Sequence, residues 1–168
     1  MIETEKLYLK PLTYTQLLLY VQEEPLLEQE LQVKPTSRTI SPELKEALET
    51  SILPNVKDEH KNYLYYTLWT IIAKHENTMV GDLCFIGEPN ADGAVEIGYG
   101  TYEAFQGKGY MTEAVSGIMQ WAKTQPNIKT ILASTEKSNV ASSNVLKKNK
   151  FKQIGETETL YHWQFICS

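Results

Sequence analysis

The chain has 168 residues, of which 42% are hydrophobic and 22% are charged, and its formal net charge is −5. This composition is typical of a globular protein, and the length predicts one domain over residues 1–168. The acidic balance argues against nucleic acid as a partner, since phosphate binding requires a basic face. The chain has neither an apolar run of about 20 residues nor a basic-then-apolar N-terminus, so we expect a cytoplasmic protein that is not inserted in a membrane.

The first part of the chain predicts one strand followed by two helices. Leu7–Leu12 has the pattern of a strand, and Tyr14–Gln22 and Pro42–Leu53 have the patterns of helices. Ser41 is the expected N-cap of the second helix, because proline follows it at the first helical position and acidic residues lie in the first turn. The stretch between the helices contains two prolines and is predicted to be partly irregular.

The rest of the chain mixes strands and helices, with antiparallel hairpins expected before a βαβ unit. The two cysteines, Cys84 and Cys167, have no metal-ligand spacing, so we expect no metal site. Free thiols are expected from the cytoplasmic character of the chain, and a disulfide between them is the alternative. The predicted strands are Thr67–Lys74, Met79–Gly87, Ala94–Thr101, Thr130–Thr135, Phe151–Glu156 and Tyr161–Ile166, and the predicted helices are Gly109–Lys123 and Ala141–Asn149.

A glycine-containing loop, Gln106-Gly107-Lys108-Gly109, lies between a predicted strand and an amphipathic helix. The first N–H groups of a helix have no intrahelical partner, and glycines let an anion approach them, so the loop is a candidate phosphate site. It is not a nucleotide P-loop, because Gly109 stands where serine or threonine is needed, and the dinucleotide fingerprint fails at Thr112. The alternative is a tight turn without a ligand. The apolar face of the helix comprises Met111, Val115, Ile118 and Ala122.

Four sequence patterns occur in the same order as in a known family. In them the chain resembles the GNAT acetyltransferase superfamily, in particular its RimJ/RimL-type ribosomal-protein N-acetyltransferase branch. The resemblance spans nearly the whole chain. It is carried by Thr4-Glu5-Lys6-Leu7-Tyr8-Leu9-Lys10-Pro11, by Glu96-Ile97-Gly98-Tyr99, by Gln106, Gly109 and Met111, and by Asn139, Ser142, Val145, Leu146, Lys148, Lys150 and Phe151.

The chain departs from the family pattern at three positions. Met111 replaces a small residue of the acyl-CoA signature, and Lys150 replaces the glycine that usually precedes Phe151. We therefore expect a strained or differently shaped turn at Lys150. Leu146 stands where many GNAT enzymes have a tyrosine that acts as general acid, so the resemblance does not identify the acid.

The resemblance implies a mixed α+β GNAT fold. We expect a mostly antiparallel, twisted sheet of about six or seven strands, with a V-shaped split between the fourth and fifth, flanked by about four helices. It also implies acetyl-CoA as cosubstrate, with its pyrophosphate on the glycine loop and its pantetheine arm along the strand end. The implied cofactor-binding residues are Tyr99, Gly100, Thr101, Gln106, Gly107, Lys108, Gly109, Tyr110, Met111, Thr112, Asn139, Ser142 and Lys147.

Two of these cofactor residues also have ordinary structural explanations. Asn139 is a natural N-cap for the following helix, and one side chain can serve both purposes. Lys147 belongs to a lysine cluster at a predicted helix end, where lysines commonly complement the helix dipole.

Acetyl transfer to an amine requires a base for the amine and a donor for the leaving thiolate. The resemblance makes Glu96 the candidate base, and the alternative is a solvated or salt-bridged residue on the strand face. It makes Ser142 the candidate donor, and the alternative is a hydroxyl that only bonds the backbone of its helix turn. Tyr99, Tyr102 and His162 are further candidates. The implied function is N-acetyl transfer to a primary amine of a small molecule or a protein N-terminus, by direct attack in a ternary complex. The alternative is a non-catalytic acyl-CoA-binding module or sensor, and in either case a monomer or homodimer is expected.

Overall fold

The computed structural model describes residues 1–22 and 24–167 and contains one eight-stranded sheet. The strand order is β1-β2-β3-β4-β5-β6-β8-β7. Neighbouring strands are antiparallel except β5 and β6, which run parallel and are connected by a helix. The strands are β1 (Ile2–Glu3), β2 (Leu7–Pro11), β3 (Leu68–Ala73), β4 (Thr78–Phe85), β5 (Ala94–Thr101), β6 (Thr130–Glu136), β7 (Lys152–Glu156) and β8 (Leu160–Ile166).

Six α-helices flank the sheet, and α1 and α3 begin with side-chain caps, of which Ser41 at α3 is the predicted one. The Thr13 hydroxyl and the Gln16 side chain form a capping box at α1, and Ser41 Oγ accepts the backbone N–H of Leu44 at α3. Within the described part of the chain, no helix is long and apolar enough to cross a membrane. The helices are α1 (Tyr14–Tyr20), α2 (Leu26–Leu31), α3 (Pro42–Ala47), α4 (Leu53–Lys57), α5 (Tyr110–Lys123) and α6 (Val140–Lys148).

The predicted helix Pro42–Leu53 continues past its predicted end through a widened turn. Residues Leu48–Ile52 form a π-helical turn, in which Leu53 donates its N–H to the carbonyl of Leu48. Pro54 follows directly and has no N–H to donate, so a regular α-helix would leave a carbonyl unpaired and crowd the proline ring. The π turn is a known way to absorb such a defect, and α4 then resumes.

The sheet has an apolar core on each face. The alternation in β2 assigns its residues to the two sides, because Leu7 and Leu9 join the core under α5 whereas Tyr8 packs on the opposite core. Helices α1 to α4 cover that second face. The predicted apolar face of α5 is buried against the first core, and its members are Met111, Val115, Ile118 and Ala122.

The sheet splits between β5 and β6. Their pairing runs only from Ala94–Thr130 to Ile97–Ala133, although β5 continues to Thr101 and β6 to Glu136. β5 and β6 are the fourth and fifth predicted strands, since β1 was not predicted. The predicted split between them is therefore confirmed. The sheet has eight strands rather than six or seven because the short β1 pairs with β2, and the helices number six rather than about four because several short ones line the second face.

The turn after α6 has the strained backbone expected from its sequence. Lys150 has φ of +68°, a left-handed conformation that glycine adopts more readily. The Phe151 N–H donates to the Leu146 carbonyl and the Lys150 N–H to the Lys147 carbonyl, which is the Schellman pattern. Leu146 and Phe151 are both buried in the main core, so packing holds the lysine in this conformation.

Candidate functional site

The glycine loop and the first turn of α5 present a row of free backbone donors. Among the described residues, none accepts the N–H groups of residues 107–112, and the first intrahelical bond runs from Glu113 to the Gly109 carbonyl. Gly107 and Gly109 have φ of +77° and +80°, and no atom lies within 4 Å of the position a Cβ would occupy. Both the unused donors and the open space fit a bound anion such as a pyrophosphate.

Three contacts hold the glycine loop and the start of α5 in place. The Tyr110 hydroxyl donates to Glu76 Oε2 at 2.6 Å, which links the start of α5 to the β3–β4 turn and raises the pKa of Tyr110 to about 12. Asn149 Nδ2 donates to the Thr112 carbonyl at 3.1 Å and links the end of α6 to the same turn of α5. Gln106 Nε2 donates to the Thr101 carbonyl at 3.3 Å and joins the loop to the end of β5.

A groove of about 370 Å³ runs from the glycine loop to the split end of β5, where α6 forms its other wall. Of the predicted cofactor residues, Lys108 and Lys147 lie outside its lining. The Lys108 ammonium lies over the Phe105 ring at 5.5 Å, and helical spacing directs Lys148, rather than Lys147, to the groove. The predicted residues that line the groove together are Tyr99, Gly100, Thr101, Gln106, Gly107, Gly109, Tyr110, Met111, Thr112, Asn139 and Ser142.

Side chains from β5 and α6 meet across the split. Ser142 Oγ donates to the Tyr99 hydroxyl at 3.0 Å, and that hydroxyl donates to the Ser142 carbonyl at 3.0 Å. Burial raises the pKa of Tyr99, so the phenol keeps its proton at neutral pH. Asn139 Oδ1 accepts the Ser142 N–H at 3.0 Å, so Asn139 caps α6 as well as lining the groove. Two hydroxyl groups therefore lie at the edge of the groove.

A second cavity of about 780 Å³ opens on the other face of β5 and shares Tyr99, Gly100 and Thr101 with the groove. We call it the acceptor-side cavity. The register explains the open space, because Cys84 lies opposite Gly98 and Asp82 opposite Gly100 on this face. The two β5 residues that face the cavity, Gly98 and Gly100, therefore have no side chain. The side chains opposite them on β4, Cys84 and Asp82, form the cavity wall.

A buried polar network forms the wall of the acceptor-side cavity. The hydroxyls of Tyr20 and Tyr102 donate to Asp82 Oδ2 at 2.7 and 2.9 Å. Arg38 donates to Glu28 Oε1 at 2.7 Å and to the Tyr20 carbonyl at 2.9 Å, and its guanidinium lies over the Tyr20 ring. Burial raises the pKa of Asp82 to about 6, although the tyrosine hydrogen bonds and the Arg38 charge act in the opposite direction.

Glu96 lies beside the acceptor-side cavity without lining it. It is half-buried on β5, on the same face as Gly98 and two residues before it. Its main chain is paired on both sides, with Leu132 of β6 and with Ile86. His162 lies elsewhere, on the exposed side of β8, where its Nδ1 is 2.9 Å from Ser134 Oγ.

The network around Asp82 is not predicted by the sequence patterns. Its members come from α1, the segment after α2, β4 and the end of β5, and no local pattern connects them. One signal was available, namely a single aspartate within the otherwise apolar strand Met79–Gly87. A carboxylate in such a position is seldom fully buried unless it has partners. Cys84, on the same wall, has its pKa raised to about 11 by burial and stays a protonated thiol.

No three His, Cys, Asp or Glu side chains of residues 1–22 and 24–167 are grouped so as to hold a metal ion. Both cysteines are free thiols, as expected.

Comparison with known proteins identifies the family. A family model described as an acetyltransferase (GNAT) domain matches residues 6–152. Over 98 residues the chain is 31% identical to the uncharacterized N-acetyltransferase YjdG of Bacillus subtilis (strain 168), and this match covers 58% of each protein.

Solved structures share the fold at low sequence identity. An acetyltransferase of the GNAT family from Bacillus anthracis superposes with a TM-score of 0.67 at 16% identity, covering 98% of this chain and 97% of that one. RimL, a ribosomal L7/L12 alpha-N-protein acetyltransferase solved in complex with coenzyme A, has a TM-score of 0.66 at 20% identity, covering 97% of this chain and 95% of RimL. With a family model over most of its length and a fold shared with solved acetyltransferases, the chain belongs to the GNAT acetyltransferase family.

Proposed function

We propose that the protein is an acetyl-CoA-dependent N-acetyltransferase that acetylates a primary amine by direct attack in a ternary complex. One observation carries the proposal: a groove that ends in free helix N–H groups and a separate cavity share Tyr99, Gly100 and Thr101 at the unpaired end of β5. A two-substrate transfer requires two binding spaces that meet at one point, and proximity supplies much of the rate. Family membership and the coenzyme A complex of RimL support the same reading.

The residues present fit acetyl-CoA. The N–H groups of residues 107–112 would hold the pyrophosphate, and the edge of β5 from Gly98 to Thr101, which has no strand partner on the β6 side, would pair with the amides of the pantetheine arm. Bound acetyl-CoA supplies an activated acetyl group that leaves sulfur for the amine nitrogen, giving an amide and a free thiol. Lys148 at the groove wall is a candidate for a further phosphate contact.

Side chains of the protein would accept the proton that the amine loses and donate a proton to the leaving sulfur. We assign Glu96, directly or through a water molecule, the removal of the proton from the amine nitrogen, since it lies beside the cavity on the same face as Gly98. Ser142 Oγ and the Tyr99 hydroxyl lie at the groove edge and are the candidate donors to the leaving sulfur. Leu146 stands where many family members have a tyrosine, and its side chain is fully buried in the core. The two hydroxyl groups at the groove edge are the candidate proton donors in place of that tyrosine.

The test measures binding and turnover separately. Calorimetry should detect acetyl-CoA binding, and a thiol assay with a panel of primary amines should detect free coenzyme A above the amine-free rate. Binding with no turnover on any amine would favour the sensor alternative. Absence of binding would remove the cofactor assignment altogether.

A further inference from the structure

The acceptor-side cavity contains a negative charge without a matching cation. Asp82 is 8% exposed and forms no salt bridge with any described residue. Arg38 also lines the cavity, but its charge is matched by Glu28, and both side chains are almost fully buried, at 6% and 2% exposure. Glu103, at the exposed rim, adds a second negative charge. The cavity is therefore electrostatically suited to a cation.

Asp82 also retains hydrogen-bonding capacity. Oδ2 accepts both tyrosine hydroxyls, whereas the buried Oδ1 accepts no hydrogen bond from the described residues. An ionised carboxylate has about four lone-pair sites, and a primary ammonium has three N–H donors. Asp82 lines the cavity, and the soft χ2 torsion of aspartate allows its carboxylate to rotate and offer Oδ1 to a ligand.

The ammonium that Asp82 would bind is not the amine that reacts. An amine attacks only after it has lost its proton, so an amine held as an ion pair is not nucleophilic. Asp82 on β4 lies opposite Gly100 on β5. The split between β5 and β6 opens at Gly98, which is two residues before Gly100 along the strand. That offset is about 7 Å along the strand direction, which a short alkyl diamine spans.

We propose that the acceptor-side cavity takes a small di- or polyamine, with Asp82 as the counter-charge for its non-reacting ammonium group. This inference rests on the proposed acetyltransferase function and names its acceptor class. The cavity volume of about 780 Å³ lies within the usual range for small-molecule sites. Tyr20 and Tyr102 position the carboxylate, and Glu103 attracts cations at the entrance.

The experiment compares three acceptors of one chain length: 1,4-diaminobutane, butylamine and 4-aminobutanoate. They differ in whether the group distal to the reacting amine is positive, neutral or negative. We expect kcat/KM to be at least tenfold higher for the diamine than for butylamine, and lowest for the zwitterion. Asp82→Asn should reduce the diamine-to-butylamine ratio at least tenfold. Its unfolding transition checks the fold, since asparagine keeps an acceptor for both tyrosines.

Glu158→Gln is the matched control, because it removes the same charge from an exposed carboxylate that lines neither cavity. It should change the diamine-to-butylamine ratio less than about threefold, since exposed charges are screened. An equal effect of both variants would overturn the assignment to Asp82. Equal use of all three acceptors by the wild type would overturn the diamine preference while leaving acetyl transfer intact.

Equilibrium binding separates this inference from the proposed function. Calorimetric titration of 1,4-diaminobutane into the wild-type protein and into Asp82→Asn requires no turnover. Weaker binding to Asp82→Asn would support the cation site even if no amine were acetylated. Equal binding, or no binding to either protein, would overturn it.

Discussion

Glu96, Gly98 and Gly100 lie on one face of β5, where one carboxylate is followed by two positions without side chains. The glycines leave open space in the acceptor-side cavity, and Glu96 lies two residues before Gly98 on the same face. Asp82 on the neighbouring strand faces the same space from the wall. Residue by residue, the two carboxylates have separate tasks: Glu96 is assigned proton removal, and Asp82 charge recognition.

Glu96→Gln tests the assigned base. The variant keeps the shape and removes the basicity, so turnover should fall by about 10²-fold or more. The loss should be larger for a lysine-like amine with a pKa of about 10.4 than for an α-amine near 7.7–8.0, and it should lessen as pH rises and solvent deprotonates the amine. Turnover across pH 6–10 measures this, with Glu158→Gln, an exposed carboxylate remote from both cavities, as control. An unchanged rate and pH profile would assign the proton to another group.

Asp82→Asn tests the cost of the buried carboxylate. Because burial raises its pKa from 3.8 to about 6, Asp82 holds its proton more tightly in the folded state. The contribution of Asp82 to stability is therefore largest below pH 4 and is lost as pH rises through 6, by about 3 kcal/mol for this shift. The stabilising effect of Asp82→Asn should accordingly be larger at pH 7.5 than at pH 4. Urea unfolding of both proteins at the two pH values measures the difference, and a pH-independent difference would contradict the assignment.

At the scale of single elements, the start of α5 and the end of α6 differ in whether their terminal backbone groups are hydrogen-bonded. The start of α5 leaves its N–H groups free and has no side-chain cap, whereas the end of α6 satisfies its carbonyls through a Schellman turn. Asn149 then connects the two helix ends. A helix start left without a cap costs stability, and it remains available for an anion.

Gly109→Asp tests the free start of α5. The aspartate adds a negative charge where the pyrophosphate should lie, and affinity for acetyl-CoA should fall at least tenfold, about 1.4 kcal/mol. The φ of +80° strains any side chain at this position, but a Cβ would meet no neighbouring atom within 4 Å, so the fold should survive with reduced stability. Gly109→Asn is the matched control, since asparagine and aspartate tolerate the left-handed backbone to a similar degree and only aspartate is charged. Calorimetry that finds equal affinity for both variants would move the anion site elsewhere.

Lys150→Gly tests the strained turn after α6. Glycine relieves the left-handed conformation of Lys150 but loses more chain entropy on folding, so a net stabilisation of about 0.5–1 kcal/mol is expected. Lys147→Gly, at an exposed helical position one turn earlier, should instead destabilise by about 1 kcal/mol. Denaturant unfolding distinguishes the two, and a destabilised Lys150→Gly variant would mean that the lysine side chain makes a stabilising contribution of its own.

At the scale of the whole molecule, the sheet lies between two apolar cores and is split between β5 and β6. The core under α5 supports the groove, and the core under α1 to α4 supports the acceptor-side cavity. The split between β5 and β6 is where the two faces communicate, because pairing there stops at Ile97. Ligands that span this split should stabilise the protein as a unit.

Acetyl-CoA should therefore raise the melting temperature, whereas free adenosine should not. Pyrophosphate and pantetheine supply the proposed contacts with the α5 start and the β5 edge, and adenosine contains neither. At a ligand concentration of about 100 times Kd, mass action gives roughly 2.7 kcal/mol of stabilisation. A thermal-shift series in which both ligands act equally would contradict the role given to the loop.

Much of the cofactor side could be predicted from sequence because its determinants are local. The glycines of the loop, the amphipathic pattern of α5 and the Asn139 cap each lie within a few consecutive residues. The element boundaries mostly agree with the predicted ones to within one or two residues. The exceptions are β1, which was not predicted, and α2 and α4, where helical turns lie in the predicted irregular stretch and beyond Pro54.

The tertiary structure alone decided the acceptor side. Asp82, Tyr20, Tyr102 and Arg38 are far apart in the chain, and only the register of β4 against β5 and the packing of α1 bring them to one wall. Register follows from which face of each strand is buried, and a one-residue slip would turn Asp82 toward the other core. The sequence by itself determined the family, the fold and the glycine loop at the start of α5, because these depend on short patterns. The buried charge that we propose selects the acceptor depends on contacts between distant segments, which no local pattern encodes.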